Sequence, residues 1–189
     1  LSYDRKINTE KNSKKIYKIN FENSISLKNI YFKYPKSNIN ILENVSLEIK
    51  KGQNIGIIGS TGVGKSTLTD IILGLLKPSL GSIHIDDKVL EYKNIYEWSN
   101  QISHVPQNIY LTNASIAENI AFCKSEKKYS IDLIKKVAKV ACLEDYINSL
   151  DNTYQTMIGE GGIKMSGGQR QRLAIARALY KFPSLIILD

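Results

Sequence analysis

Apolar and polar residues alternate in the first part of the chain, which predicts strands. Residues 26–34 alternate loosely and end before Pro35, as expected of a half-buried strand. A second strand is predicted at about 45–49. The short apolar run 54–58 predicts a third strand, which opens into a glycine-rich loop.

After this loop the apolar spacing becomes helical. A helix is predicted from Lys65 until Pro78 ends the pattern. One stripe of this helix comprises Leu68, Ile71, Ile72, Leu75 and Leu76. Short strands follow near Ile83 and at 102–105, and the pattern from about 112 to 150 is mainly helical. One helical face there carries Ile131, Ile134, Ala138 and Ala141.

The chain closes on a continuous apolar run at 185–188, which predicts a central parallel strand that is buried on both faces. This strand delivers Asp189 at its carboxyl end. Ligands of open parallel sheets bind outside that end, so Asp189 is a candidate site residue.

The glycine-rich loop between the third strand and the helix has the composition of a phosphate cradle. Its glycines let backbone N–H groups approach phosphate oxygens, and the following helix adds the positive end of its dipole. The Lys65 ammonium is predicted to contact the β and γ phosphates, and the Ser66 hydroxyl to ligate Mg²⁺. A strand-to-helix turn without a ligand is the alternative, but the flanking elements favour a nucleotide site. The predicted phosphate-binding residues are Gly59, Ser60, Thr61, Gly62, Val63, Gly64, Lys65, Ser66 and Thr67.

Asp189 supports a nucleotide site independently of the loop. An acid at the end of an apolar strand, downstream of a phosphate loop, typically holds Mg²⁺ directly or through water. An aspartate after a strand is more often a helix cap when it stands alone. With a phosphate loop upstream, Mg²⁺ binding becomes the preferred interpretation of Asp189.

A second glycine pair, Gly167 and Gly168, begins another predicted helix. Ser166 and Gln169 have the spacing of a capping box, so a capped amphipathic helix is one interpretation. That interpretation leaves the glycines unexplained, because each costs about 1 kcal/mol relative to alanine in a helix. A backbone without side chains at the start of this helix indicates that an anion comes close to its N–H groups.

Residues 165–179, Met-Ser-Gly-Gly-Gln-Arg-Gln-Arg-Leu-Ala-Ile-Ala-Arg-Ala-Leu, resemble the signature helix of ATP-binding cassette (ABC) proteins. With the phosphate loop as Walker A and 185–189 as Walker B, the resemblance runs from about residue 25 to Asp189. It implies an α/β fold: a P-loop core with a parallel sheet, an antiparallel β layer near the amino end, and a helical signature subdomain at about 112–180.

The same resemblance implies how the two glycine elements are used. Two such domains face each other head to tail, and each ATP lies between one Walker A loop and the signature of the other domain. The signature residues that would contact this ATP are Ser166, Gly167, Gly168 and Gln169.

Two further positions follow from the resemblance. Tyr34 matches the aromatic residue that stacks on adenine, and no Asn-Lys-x-Asp motif for guanine occurs. Gln107 matches the glutamine that senses Mg²⁺ and the γ-phosphate and links to a transmembrane partner. The implied catalytic residues are Lys65, Gln107 and Asp189, and the implied metal ligands are Ser66, Gln107 and Asp189.

Segments 108–122 and 156–162 resemble those of exporter-type members. They imply two partners, a second nucleotide-binding domain and the transmembrane domain of the same transporter, at the cytoplasmic face of the inner membrane. The exported cargo, for which lipid or glycolipid is one expectation from the subgroup, cannot be inferred from this sequence.

The sequence departs from the family in two respects. Met165 replaces the usual leucine before the signature serine, an apolar exchange that should be tolerated. The chain begins with Leu1 rather than methionine, and it ends at Asp189, where the family continues with a glutamate that polarises the attacking water. We therefore expect a piece of a longer protein that binds ATP but hydrolyses it poorly.

The charge distribution separates a linker from the domain. The formal net charge is +8, from 26 lysines and arginines against 18 acids. Half of this excess lies within residues 1–20, which predicts a basic linker after a transmembrane region, followed by an ATP-binding domain at 21–189. The linker is either solvated or placed against anionic headgroups.

Two other functions are compatible with these motifs. A soluble ABC-type ATPase acting on nucleic acid or in translation would suit the basic charge, but the exporter-like segment 156–162 argues against it, and no nucleic acid is expected as a partner. An ATP-dependent interaction module without turnover is the other alternative. No apolar run approaches the roughly 20 residues that a membrane-spanning helix requires.

Overall fold

The computed structural model describes residues 19–122 and 129–189. Its strands are β1 (Ser24–Phe32), β2 (Leu42–Lys50), β3 (Leu80–Ile85), β4 (Lys88–Val89), β5 (Ile102–Val105) and β6 (Leu185–Leu188). Its α-helices are α1 (Lys65–Ile72), α2 (Ile95–Ser99), α3 (Ile116–Ala121), α4 (Ile131–Val140), α5 (Glu144–Asn148) and α6 (Gly167–Tyr180). The predicted combination of an antiparallel layer, a parallel sheet and a helical part is confirmed.

The antiparallel layer has the strand order β2-β1-β3-β4. Leu27 of β1 lies opposite Leu47 of β2 and Ile83 of β3. Both pairings shift register after the Leu27–Lys28 stretch, and Asn29 there has a φ of 50°. This bulge moves the buried positions by one residue and explains why the alternation along β1 is loose.

Helix α1 begins at Lys65 as predicted but is shorter than the apolar stripe indicates. Gly74 adopts a φ of 76°, and a Cβ there would lie 2.6 Å from Cδ1 of Ile95. The left-handed residue ends the helix, because only glycine adopts this conformation without steric cost. Leu75 therefore lies beyond the helix and is 71% exposed, so its predicted place on the buried stripe is wrong.

The parallel sheet consists of β5 and β6, paired in register from Ile102 and Leu185 to Val105 and Leu188. The predicted strand at 54–58 is not formed, because no described segment pairs with it and an extended segment needs a ladder partner. A cavity of about 530 Å³ lies between this segment and β6. Consequently β6 is not buried on both faces, and its Leu188 is 63% exposed.

The protein has a first core beside the antiparallel layer and α1, and the helical part packs around a second core. Ile134, Ala138 and Ala141 are buried there as predicted, whereas Ile131, the first residue of α4, is 39% exposed. Helix α6 joins this core to the parallel sheet. Ala174 and Ala178 pack against Val105, and the Ser103 hydroxyl donates to the Ala178 carbonyl at 2.9 Å.

The chain enters the first core at Ile19, which is fully buried beside the antiparallel layer. The remainder of the predicted linker, residues 1–18, lies outside the described residues. In the parts of the chain that the structure describes, no helix combines the length and apolar character needed to cross a membrane.

Asp86, directly after β3, fixes the start of β1. One carboxylate oxygen accepts from the N–H groups of Asn23 and Ser24, and the other accepts from that of Glu22, at 2.7 to 3.0 Å. Burial alone would raise the pKa of Asp86, but these backbone hydrogen bonds and the charge of Lys51 hold it below its ordinary value. The ionised form is therefore the one that stabilises the fold.

We expect Asp86→Asn to lower the free energy of unfolding by about 1 kcal/mol at pH 7, since the amide retains only one oxygen acceptor. Because the folded-state pKa is depressed, this contribution is present above the unfolded-state pKa of about 4 and is lost as the pH falls through the folded-state value. Urea titrations at several pH values measure it. Asp87→Asn, on an exposed neighbour, is the control; a difference between wild type and Asp86→Asn that persists in acid would contradict the assignment.

Candidate nucleotide site

The loop before α1 has the shape of a phosphate cradle. Gly62 and Gly64 have φ values of 84° and 100°, which only glycine adopts at low cost. The Lys65 ammonium folds back over the loop and donates to the carbonyls of Gly59 and Ser60 at 2.9 and 2.8 Å. Helix α1 has neither a side-chain cap nor an acidic residue in its first turn. Its amino-terminal N–H groups and positive dipole end thus point to an open, electropositive site that fits phosphate.

Asp189 comes to the same place. The cavity of about 530 Å³ is lined by Lys65 and Ser66 from the cradle and by Asp189 at the end of β6. A hydroxyl and a carboxylate are the oxygen ligands that Mg²⁺ prefers, and Mg²⁺ is commonly held by one or two protein groups together with substrate phosphates. No cluster of three or more His, Cys, Asp or Glu side chains that could hold a metal ion occurs among the described residues.

Tyr34 lies beside the cradle. Its hydroxyl is 3.1 Å from the Thr67 hydroxyl, and its ring packs edge-on against Phe32 with centroids 5.0 Å apart. The ring remains 42% exposed. Tyr34 is therefore held at the rim of the cradle with part of its surface open, as base stacking requires, while the buried Thr67 hydroxyl already has a partner.

Gln107 lines a neighbouring cavity of about 420 Å³. Gly167 and Arg170, from the start of α6, line the same cavity, and so does Asp189. Asp189 thus belongs to both cavities and connects Gln107 with the cradle. Lys65 and Ser66 do not line this second cavity.

The predicted capping box at the start of α6 is confirmed. The Ser166 hydroxyl accepts from the N–H of Gln169, and the Gln169 side-chain oxygen accepts from the N–H of Ser166. A Cβ built on Gly167 or Gly168 would meet nothing within 4 Å, so this turn faces open space. The signature turn does not line the cradle cavity of its own chain.

The capping boxes of α3 and α6 differ in charge. At α3, Ser115 pairs with Glu118, whose negative carboxylate compensates the positive end of the helix dipole. At α6 the corresponding partner is the neutral Gln169, and no acid occurs in the first turn. The positive end of α6 is therefore left uncompensated, which suits an approaching anion.

Two residues that the sequence patterns did not indicate lie behind these cavities. Asn119 is fully buried in α3 and makes side-chain hydrogen bonds to Thr112, Ala114, Ser115 and Arg177. Arg177 stands among the alanines on the inner side of α6, and burial lowers its pKa from that of a solvated guanidinium. The sequence signal that could have indicated Arg177 is a long cationic side chain within an otherwise alanine-rich helix face.

Comparison with known proteins agrees with this geometry. Residues 42–189 match the ABC transporter family. The chain belongs to the ABC transporter family. The ATP-dependent lipid A-core flippases of Escherichia coli K12 and Shigella flexneri are both 38% identical to it over 165 residues, which are 87% of this chain. The structure of a bacterial Atm1-family ABC exporter with ATP bound superposes with a TM-score of 0.80 at 34% identity, over 88% of this chain.

The chain spans only 28% of the length of each flippase and 29% of the Atm1-family exporter chain. The match to the family covers the cradle, the turn at Ser166 to Gln169 and strand β6, all of which lie within residues 42–189. The roles of the individual site residues remain predictions.

Proposed function

We propose that the chain binds Mg·ATP and is part of the ATP-binding domain of an ABC exporter, which hydrolyses ATP in the complete protein, whereas this chain by itself hydrolyses it poorly. The observation that carries the proposal is the cavity in which Lys65, Ser66 and Asp189 meet. A flexible ammonium, a hydroxyl at a helix start and a carboxylate at a strand end form the set of groups that nucleoside triphosphate sites use.

Each residue then has a defined part. The cradle N–H groups and Lys65 would bind the phosphates, and Tyr34 would stack on the base. Ser66 and Asp189 would hold Mg²⁺, with Gln107 reaching the same region from the adjoining cavity. When bound, Mg²⁺ would neutralise charge on the phosphate oxygens.

The exposed signature turn favours a shared site between two domains. Gly167 and Gly168 face open space, and the turn from Ser166 to Gln169 does not line the cradle cavity of the same chain. We therefore propose that the turn contacts nucleotide held by a second domain of the same kind. Closure of the two domains would drive a conformational change in a transmembrane partner, and the two domains would lie at the cytoplasmic face of the inner membrane.

The cargo is proposed only by class. The flippases that resemble the chain carry lipid A-core in their name, so a lipid or glycolipid is the first class to test. The basic segment 1–20 would then be the linker that follows the membrane part, and 21–189 would be the ATP-binding domain.

Titration of the purified chain with ATP by calorimetry, with and without Mg²⁺, tests the binding proposal. We expect saturable binding that weakens on addition of a chelator, because part of the affinity comes from the metal bridge. No saturable binding would refute the site. Apolar runs of about 20 residues encoded upstream in the parent reading frame would support an exporter, and their absence would favour a soluble ATPase.

A further inference from the structure

The loop that carries Gln107, residues 106–111, has few attachments. In the described chain its single hydrogen bond to the rest of the protein runs from Arg177 Nη1 to the Tyr110 carbonyl, at 2.7 Å. Strand β5 holds the amino end of the loop through Val105, which accepts from the N–H of Asp189 at 3.0 Å. The carboxyl half of the loop is therefore held by one guanidinium at Tyr110, together with the packing of Ile109 and Leu111 against the second core.

That guanidinium is itself firmly held. Its Nε donates to the Asn119 carbonyl at 2.8 Å, and its Nη2 donates to the Asn119 side-chain oxygen at 2.9 Å. The Phe122 ring lies 5.0 Å from its central carbon. No carboxylate takes part in this set of hydrogen bonds. The planar fork of arginine thus spans two chain segments that a single-point lysine donor cannot bridge in the same way.

Asn119 extends the restraint to the carboxyl end of the loop. Its side-chain oxygen also accepts from the N–H and the hydroxyl of Thr112, and its amide donates to the Thr112 carbonyl at 3.1 Å. Arg177 and Asn119 together therefore fix the segment from Tyr110 to Thr112. Asn119 is fully buried on α3 and Arg177 is half-buried on α6, and these two helices pack against each other in the second core.

The far side of the loop faces the nucleotide site. Gln107 shares its cavity with Asp189 and with Gly167 at the start of α6. A shift of the loop relative to α6 would therefore move Gln107 relative to both groups. Since Arg177 is part of α6, it links the helix that carries the signature turn to the loop that carries Gln107.

We propose that Arg177 is a positioning residue: it holds the 106–111 loop against α6 and so places Gln107 at the nucleotide site. The inference rests on the proposed ATP site, and it adds a residue that acts through Gln107 rather than on the nucleotide. Arg177 is half-buried, does not line the two cavities of the nucleotide site, and would touch neither substrate nor metal.

A double-mutant cycle on the affinity for Mg·ATP tests this placement. We expect Gln107→Ala and Arg177→Met each to weaken binding by about tenfold, and the double variant to be no weaker than the weaker single variant, because both changes remove one contribution. Arg177→Met keeps the aliphatic stem, so a packing role alone would leave affinity unchanged. Arg177→Lys keeps the charge and should restore binding only in part.

A multiplicative loss in the double variant would overturn the proposal, since the two residues would then act separately. An unchanged affinity in Arg177→Met would overturn it as well. Arg172→Met, on an exposed arginine of the same helix, is the matched control and should bind as the wild type does. If circular dichroism shows that Arg177→Met does not fold, Arg177→Lys takes its place in the cycle.

Hydrogen exchange gives a readout that needs no nucleotide. We expect the amides of 110–122 to exchange about tenfold faster in Arg177→Met than in wild type or Arg172→Met, because the loop loses its restraint. Equal exchange in all three proteins would refute the restraint. Failure of wild type to bind ATP would refute the proposed function alone, and the exchange experiment would still decide whether Arg177 holds the loop.

Discussion

Lys65→Ala should weaken the affinity of the chain for Mg·ATP by about 100-fold, which corresponds to about 2.7 kcal/mol. The Lys65 ammonium lies over the cradle loop, and its hydrogen bonds within the described residues go to the carbonyls of Gly59 and Ser60, at 2.9 and 2.8 Å. Phosphate oxygens are stronger acceptors than these carbonyls, so the ammonium should exchange its partners when nucleotide binds. Removing it leaves the cradle with backbone N–H groups alone.

Calorimetric titration of the variant measures this loss, and the thermal unfolding of the free protein should change little. Lys77→Ala is the matched control, because Lys77 is an exposed lysine that lies beyond α1. Comparable affinities for Lys65→Ala and Lys77→Ala would mean that the cradle does not bind the phosphates.

Gly81→Ala should lower the free energy of unfolding by about 3 kcal/mol or more. Gly81 lies near the start of β3 with a φ of 91°, and a Cβ there would lie 2.5 Å from the Lys28 carbonyl oxygen and closer still to that of Asn29. These are backbone atoms of the bulge in β1 and cannot rotate away. The substitution therefore adds a steric clash to the cost of a left-handed alanine.

Gly52→Ala separates the two contributions. Gly52 has a similar φ of 78°, but a Cβ there would meet nothing within 4 Å. Its cost should be only the conformational one, about 1 kcal/mol. Urea unfolding of both variants provides the comparison, and equal losses would show that the bulge yields to the added methyl group.

Features that depend on neighbouring residues along the chain were predicted well. The cradle follows from its glycines and the helix that begins at Lys65, and the capping box of Ser166 and Gln169 forms as its spacing indicates. In both places the backbone partners are within a few residues, so local chemistry determines the conformation.

Several features that depend on distant partners were not predicted correctly. The run 54–58 has the composition of a strand but lacks a ladder partner among the described residues, and α1 ends early because Gly74 must make room for Ile95. Arg177 offers only a weak local signal, since its partners lie 58 and 67 residues away. Contacts between residues so far apart in the sequence can be identified only from the packed structure.

Trp98 is the single tryptophan of the chain and lies fully buried in the first core. Its indole N–H donates to the Ile72 carbonyl at 2.8 Å, at the last residue of the helix that starts in the phosphate cradle. This helix of eight residues is about 12 Å long at its usual rise. The tryptophan fluorescence of the protein therefore originates at one known position, one short helix away from Lys65, and this emission, excited apart from the 11 tyrosines, can follow that helix without an added label.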